Sequence, residues 1–209
     1  MFDWLGDILS GLGDALSVVF EGVGADIAVD IWNALVEWID KEVLDAFSYR
    51  GLVYESADYH NAVFVGADRE GKPRHIHKRS TAAQGGFKGN APGSEPEYSF
   101  HWIGGGDTLF LFEAPIDMLS FISMHKQHWK SSSYAAACGV SDKVLWKTME
   151  GRPFIRNVCI CLDNDETGQK AAQRISRALT EKDIRNQILV PTRKDWNEDL
   201  LFLRKENKK

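Results

Sequence analysis

The stretch VCICLDNDETGQ, residues 158–169, decides the fold that the sequence predicts. Its apolar first half has the length and composition of a buried strand, and its polar second half begins a helix. Asp163 and Asp165 stand between the two halves, one residue apart. Carboxylates this close repel each other and raise each other's pKa, so the pairing is costly unless a positive group compensates for it. A loop with a helix cap is one interpretation, and a metal site is the other.

The same alternation of apolar strand and helix extends over residues 107–209. Strands are predicted for the segments TLFLFE, SYAAACG, NVCICLD and NQILVP. Helices are predicted between them, over residues 115–127, 141–150 and 166–181. Apolar strands separated by helices indicate an α/β fold, a parallel sheet with helices on both faces. Ligands of such sheets bind at the carboxyl ends of strands, where Glu113, Gly139, Asp163 and Asp165 all fall.

Two segments of different character precede this unit. Residues 1–49 hold ten acids and one base, with apolar residues at three- and four-residue steps, which predicts an acidic, amphipathic helical extension. We expect this extension to be dispensable for the α/β fold, with its apolar stripe packed on the β-rich domain, on a second copy or on a partner. Residues 50–106 contain short alternating runs separated by turn signals, which predicts a small antiparallel β-rich domain.

Composition excludes several classes of protein. The chain of 209 residues is 44% hydrophobic and 26% charged, as globular proteins are. No stretch reaches the ~18 uncharged apolar residues of a membrane span, and no signal peptide is recognisable. The three cysteines fit neither a disulfide framework nor a zinc ribbon, so we expect a cytoplasmic protein without zinc.

The net charge of −5 comes from the acidic residues 1–49, because the chain beyond residue 49 is basic, with 24 bases and 20 acids. Basic residues of the predicted β-rich domain, interleaved with Phe87, suit a groove for single-stranded nucleic acid. These residues are Arg69, Lys72, Arg74, His75, His77, Lys78, Arg79 and Lys88. A merely soluble hairpin is the alternative. His75 and His77 alternate on one face of an exposed strand, where they are structural or bind a metal or phosphate.

Carboxylates at two predicted strand ends suggest a metal site. If the strands that precede Glu113 and Asp163 are neighbours, three or four carboxylates converge in one crevice. Mg²⁺ takes oxygen ligands and is usually held by a few carboxylates together with substrate phosphates. The ion then neutralises charge that develops on a transferring phosphoryl group.

Four segments in order resemble the Toprim domain of bacterial primases, topoisomerases and nucleases. They are LFLFEAPIDMLS (109–120), AAACGVS (135–141), VCICLDNDETGQKAA (158–172) and KDWNEDL (194–200). The segment 49–80 is similar to an uncharacterised domain that precedes Toprim in primase-like proteins of plasmids and integrative elements. The first residues resemble the start of a conjugation-channel membrane protein from the same kind of element.

The resemblance implies roles for individual residues. Glu113 is the general acid or base, Asp163 and Asp165 bind Mg²⁺ beside Glu113, and Mn²⁺ substitutes for it. Asp117 matches a second acid of the primase version, and Gly139 allows substrate to approach closely. Asp195 and Asp199 look like the primase's distal acidic motif, unless they only cap a helix and face solvent.

The function so implied is primase-like, Mg²⁺-dependent nucleotidyl transfer in the replication or transfer of a mobile element. The expected partners are single-stranded DNA or RNA, nucleotides, and a helicase or relaxase of the same element. A nuclease that uses the same carboxylates is one alternative, and a non-catalytic nucleic-acid-binding or scaffold module is another. A topoisomerase is excluded, because 209 residues cannot also hold its gated domain.

Overall fold

The computed structural model describes residues 39–56, 61–80, 87–139 and 141–207. These residues form two β-sheets that follow one another along the chain. The predicted extension therefore lies outside the described residues up to residue 38. No helix of the described part is long and apolar enough to cross a membrane.

The first sheet is antiparallel and has the order β1-β2-β3-β4. Its strands are β1 (Val53–Glu55), β2 (Ala62–Ala67), β3 (Pro73–Arg79) and β4 (Lys88–Asn90). The register between β2 and β3 shifts at Gly66/Ala67, and a short 3₁₀ helix, Pro96–Tyr98, follows β4. The predicted antiparallel β-rich domain is confirmed.

The second sheet has the order β5-β7-β6-β8-β9. Its strands are β5 (His101–Trp102), β6 (Thr108–Phe112), β7 (Ser133–Ala136), β8 (Asn157–Cys161) and β9 (Arg185–Ile188). The last four are parallel, as predicted, whereas β5 pairs antiparallel with β7 at the edge. The sequence had placed β5 in the β-rich domain, and a strand of two residues is too short for its pattern to show which sheet it joins.

Helices cover both faces of the second sheet. The α-helices of the described residues are α1 (Lys41–Tyr49), α2 (Pro115–Met124), α3 (Lys143–Met149), α4 (Glu166–Thr180) and α5 (Trp196–Glu206). One core joins α1, α2 and α5 to one face of the sheet, and a second core joins α3 and α4 to the other. The α/β architecture with helices on both faces is therefore confirmed.

Helix boundaries follow from local chemistry. Asp40, Asp165 and Asp195 cap α1, α4 and α5, each accepting a hydrogen bond from a backbone N–H in the first turn. Pro115 occupies the first turn of α2, where its missing N–H has no intrahelical partner to lose.

The helix α1 belongs to the core and not to a separable extension. Val43, Leu44 and Phe47 are completely buried, and the ring of Phe47 stacks 5.7 Å from that of Trp129. Asp40 also binds Lys126 at the end of α2, with a distance of 2.8 Å between Oδ2 and Nζ. The expectation that all of residues 1–49 are dispensable thus differs from the structure over residues 39–49.

Candidate functional site

Three neighbouring strands of the second sheet end at one edge. Phe112 of β6 pairs with Ala136 of β7 on one side and with Cys161 of β8 on the other. Glu113 directly follows β6, and its carbonyl accepts a hydrogen bond from the N–H of Gly139, at 3.1 Å. Asp163 comes two residues after the end of β8. The strands that carry the predicted acids are therefore neighbours, which the sequence had left as a condition.

The turn with Asp163 and Asp165 packs tightly on the start of α4. Asp165 Oδ1 accepts a hydrogen bond from the N–H of Gly168, at 2.8 Å, and Gln169 Nε2 donates to the carbonyl of Asp163, at 3.0 Å. A Cβ on Gly168 would lie 2.4 Å from that carbonyl oxygen, so only glycine fits there. The helix-cap interpretation of the pair is confirmed for Asp165, whereas the metal-site interpretation stays a prediction.

The surroundings of Asp163 disfavour the ionised form of its carboxyl group. Its Oδ1 atom is buried and has no hydrogen-bond partner among the described residues. Burial raises the pKa of Asp163 to about 7, and the charges of Glu113 and Asp195 add to the shift. Burial and these charges disfavour the ionised form of Asp163, so a bound cation would stabilise it.

Glu113 lies in the same electrostatic environment. Burial raises the pKa of Glu113, the charges of Asp165 and Asp195 raise it further, and Lys88 and Lys194 oppose them. The sequence had not singled out Lys194, although its place directly before Asp195 was a usable signal.

Asp117 lies in the first turn of α2, beside the acidic cluster that consists of Glu113, Asp163 and Asp195. It is almost fully buried, and its Oδ1 accepts a hydrogen bond from the N–H of Asn197 at the start of α5, at 3.1 Å. Burial, with Asp195 and Asp163, raises the pKa of Asp117 to about 8. The residue is thus mostly protonated at neutral pH.

The two acids of the KDWNEDL segment occupy different environments. Asp195 caps α5 through the N–H of Glu198, at 2.8 Å, and its charge raises the pKa of Glu113, Asp117 and Asp163 alike. Asp199 is buried one turn later and binds the backbone of the preceding loop. The structure brings Asp195 into the acidic cluster and turns Asp199 away from solvent.

Gly139 adopts a backbone conformation that L-residues rarely take, with φ of +142°. A Cβ on Gly139 would meet no described atom within 4 Å. The space beside this residue is open, as close approach of a substrate requires.

Two of the six arginines and lysines that were predicted to bind nucleic acid act on the acids Glu113, Asp117 and Asp163. Arg79 and Lys88 are cross-strand partners in β3 and β4. Lys88 lowers the pKa of Glu113 and Asp163, and Arg79 lowers that of Asp117. Basic side chains of the first sheet thus lie near the acids of the second sheet.

The other four basic residues lie elsewhere. Arg69 donates to the carbonyl of Glu150, and Arg74 forms a bidentate pair with Glu95, at 2.8 and 3.0 Å. Lys72 is exposed in the turn between β2 and β3, at the other end of the hairpin. Lys78 pairs with Gly89 and alternates with Arg79, so it lies on the opposite face of the sheet.

His75 and His77 are buried, contrary to the exposed strand that the sequence predicted. They lie on the same face as Phe64, which belongs to the core shared with α1 and α2. His77 Nδ1 lies 2.7 Å from Asn90 Oδ1. Burial lowers the pKa of both rings, that of His75 to about 4, so both are neutral at pH 7. Sequence alternation identified their shared face but not that this face is covered.

Oxygen donors at this edge fit a hard divalent cation. Among the described residues, no three His, Cys, Asp or Glu side chains are gathered closely enough to form a complete ligand set. Mg²⁺ and Mn²⁺ do not require one, because they keep several waters and take one or two carboxylates plus substrate phosphates. The unpartnered Oδ1 of Asp163 and the mutually raised pKa values indicate where a cation would be stabilising.

Two family models match the chain. Residues 110–200 match the family described as Toprim-like, and residues 36–107 match a protein of unknown function, DUF3991. The second match includes α1, in agreement with its packing. An uncharacterized plasmid-encoded protein of Bacillus anthracis is 28% identical over 156 residues, which cover 69% of this chain. The match covers 45% of that relative's length, so this chain corresponds to less than half of it.

Solved primase structures share the fold. The catalytic core of DnaG has a TM-score of 0.62 at 14% identity, covering 97% of this chain and 76% of that one. The primase fragment of the bacteriophage T7 primase-helicase protein has a TM-score of 0.60 at 17% identity, covering 83% and 70%. The RNA polymerase domain of Mycobacterium tuberculosis DnaG has 0.58 at 14%, covering 96% and 82%.

Proposed function

We propose that this chain, which belongs to the proteins that join a DUF3991 domain to a Toprim-like domain, transfers phosphoryl groups on nucleic acid in the manner of a primase. One observation carries the proposal. Glu113 and Asp163, at the strand ends of one sheet, interact electrostatically with each other, with Asp195 at the start of α5 and with Lys88 of the other sheet. Acids that hold a cation, facing bases that hold phosphates, are the parts that phosphoryl transfer needs.

Asp163 and Asp165, with Glu113 beside them, would hold Mg²⁺, for which Mn²⁺ substitutes. The bound ion would neutralise charge on the transferring phosphoryl group. The protein's own part is to bring Glu113 and Asp163 to the ends of the neighbouring strands β6 and β8, and to hold Asp165 by its bond to Gly168 N.

In this proposal, Glu113 accepts the proton that the attacking hydroxyl group loses. A general base works best when its pKa lies close to the operating pH, and burial raises the pKa of Glu113 in that direction. Asp117, mostly protonated at neutral pH, accepts a hydrogen bond from the N–H of Asn197 and so fixes the start of α5. Asp195 caps this helix and is thereby held in place.

Lys88 and Arg79 bind phosphates of a single-stranded template or of a nucleotide. Such contacts position a strand without reading its sequence. Two fold relatives support this substrate class. One is a DnaG catalytic domain bound to ssDNA, and the other comes from a complex of T7 DNA polymerase and primase domains with an RNA/DNA hybrid and dTTP. The plasmid-encoded relative supports a mobile element as the genetic context, and the role in replication or transfer of that element, beside a helicase or relaxase, stays part of the proposal.

Incubation of the full chain with single-stranded DNA, labelled ribonucleotides and Mg²⁺ or Mn²⁺ tests the proposal. A ladder of new oligonucleotides is expected from the wild type and not from Asp163→Asn. Shortening of labelled DNA without nucleotide consumption would indicate a nuclease instead. Cation and DNA binding without either product would indicate a non-catalytic module.

A further inference from the structure

Asp199 holds a backbone loop with both of its carboxylate oxygens. Oδ2 accepts a hydrogen bond from the N–H of Thr192, at 2.7 Å, and Oδ1 accepts one from the N–H of Arg193, at 2.9 Å. The side chain is buried, and the guanidinium of Arg193 lies 3.9 Å from Oδ1. A carboxylate that accepts two backbone N–H bonds in a buried site fixes the loop in one conformation.

The loop of residues 191–194 also binds the turn that carries Asp163 and Asp165. The N–H of Asn164 donates to the carbonyl of Lys194, at 2.8 Å, and Asn164 Nδ2 donates to the carbonyl of Pro191, at 3.2 Å. Asn164 stands between Asp163 and Asp165, so these two bonds set where the flanking carboxylates lie.

We propose that Asp199 is a positioning residue that tunes the affinity of the site for divalent cations without touching the cation. The connection runs from Asp199 to the N–H groups of residues 192 and 193, and from the carbonyls of residues 191 and 194 to Asn164. The inference rests on the proposed cation site at Asp163 and Asp165. Residues that orient metal ligands from behind usually change metal affinity by about 10–100-fold when they are mutated.

Asp199→Asn keeps the size of the side chain but leaves one oxygen acceptor for two N–H donors. Titration with Mn²⁺ alone, by calorimetry, is expected to show a Kd raised by about 10–100-fold. Amide hydrogen exchange should show loss of protection at Asn164 but not at Val158 within β8. A variant that is only less stable would lose protection at both amides.

Glu198→Gln is the matched control. It removes the same charge one residue away on α5, from an exposed side chain whose contact with the N–H of Lys194 is long, at 3.4 Å. Its Kd for Mn²⁺ is expected within about threefold of the wild type, because the remaining effect is that of a screened surface charge. Equal losses in Glu198→Gln and Asp199→Asn would mean that charge alone acts, and would overturn the proposal.

Asn164→Ala provides a second route if Asp199→Asn does not fold. It removes the bond to Pro191 from an exposed residue, and a smaller rise in Kd in the same direction is expected. Wild-type affinity in Asn164→Ala, or in folded Asp199→Asn, would overturn the role of the loop. A wild-type protein that binds no Mn²⁺ would instead refute the cation site itself, which distinguishes the two failures.

Discussion

Asp163 holds a charge that its surroundings oppose. Its pKa of about 7 in the folded chain exceeds the ordinary value of 3.8, so the folded state binds more protons than the unfolded state above pH 4. The stability lost to this ionisation therefore increases as the pH rises from about 4 to 7. We therefore expect a bound cation to stabilise the ionised form of Asp163. We also expect the metal-free protein to tolerate replacement of Asp163.

Asp163→Asn is expected to abolish Mn²⁺ binding and to stabilise the metal-free protein. The amide removes the repulsion from Glu113 and Asp195, so the gain in melting temperature over wild type should be larger at pH 8 than at pH 5. Calorimetry and thermal unfolding measure the two effects. Asp183→Asn, the same exchange at an exposed site, should change neither. Undiminished Mn²⁺ affinity would refute the assignment.

Glu113→Gln should separate chemistry from binding. A general acid or base typically contributes about 10²–10⁴ in rate, whereas the neighbouring aspartates still hold the cation. We expect turnover to fall by that factor while the Kd for Mn²⁺ changes far less. Single-turnover nucleotide incorporation at saturating Mn²⁺ is the measurement, and activity within a factor of a few of wild type would exclude the role of Glu113.

At the scale of elements, the sequence predicted what depends on local pattern. Apolar runs identified the strands, and the rule that ligands bind at the carboxyl ends of parallel strands placed Glu113, Asp163 and Gly139 at one edge of the sheet, without showing which strands are neighbours. Alternation places Lys78 and Arg79 on opposite faces of β3, but it could not show which of them lies near the acids, because that depends on how the two sheets pack. It also could not show that His75 and His77 are covered, since only tertiary packing decides which face of a strand meets the second domain.

The helix α1 shows the same limit and offers a direct test. Phe47 is fully buried among Phe100, Trp102 and Trp129, at centroid distances of 5.3, 5.1 and 5.7 Å. Phe47→Ala should lower the free energy of unfolding by about 3–5 kcal/mol, as core Phe truncations do. Urea unfolding measures this value.

Tyr49→Ala is the control for Phe47→Ala. Tyr49 is an aromatic residue of the same helix and is 94% exposed. Its truncation should change the free energy of unfolding by less than about 0.5 kcal/mol. Similar small losses in both variants would mean that α1 is not part of the folded core.

For the whole molecule, cation binding and pH should be linked. The raised pKa values of Asp117, about 8, and Asp163, about 7, mean that the metal-free protein loses stability as the pH rises from 6.5 to 8. Burial lowers the pKa of His75 and His77, so their protons bind mainly to the unfolded state, and this opposing effect is confined to the lower end of the window, near the ordinary pKa of 6.5.

Saturating Mg²⁺ should therefore raise the melting temperature more at pH 8 than at pH 6.5. The ion binds the ionised carboxylates and competes with protons for them. Differential scanning calorimetry at both pH values, with and without Mg²⁺, measures the difference. Asp163→Asn should show no such increment, and an equal increment at both pH values in the wild type would contradict the linkage.

The division of the site between two sheets has a consequence for inheritance. Lys88 and Arg79 are encoded before the acids, in the segment that matches DUF3991, and Glu113 and Asp163 in the segment that matches Toprim. Genetic exchange between elements with a crossover between the codons for Asn90 and Asp107 would therefore give each offspring Lys88 and Arg79 from one parent and Glu113 and Asp163 from the other. Such hybrids would combine two sheets whose charges had not changed together, so we expect the two segments to be transmitted as one unit.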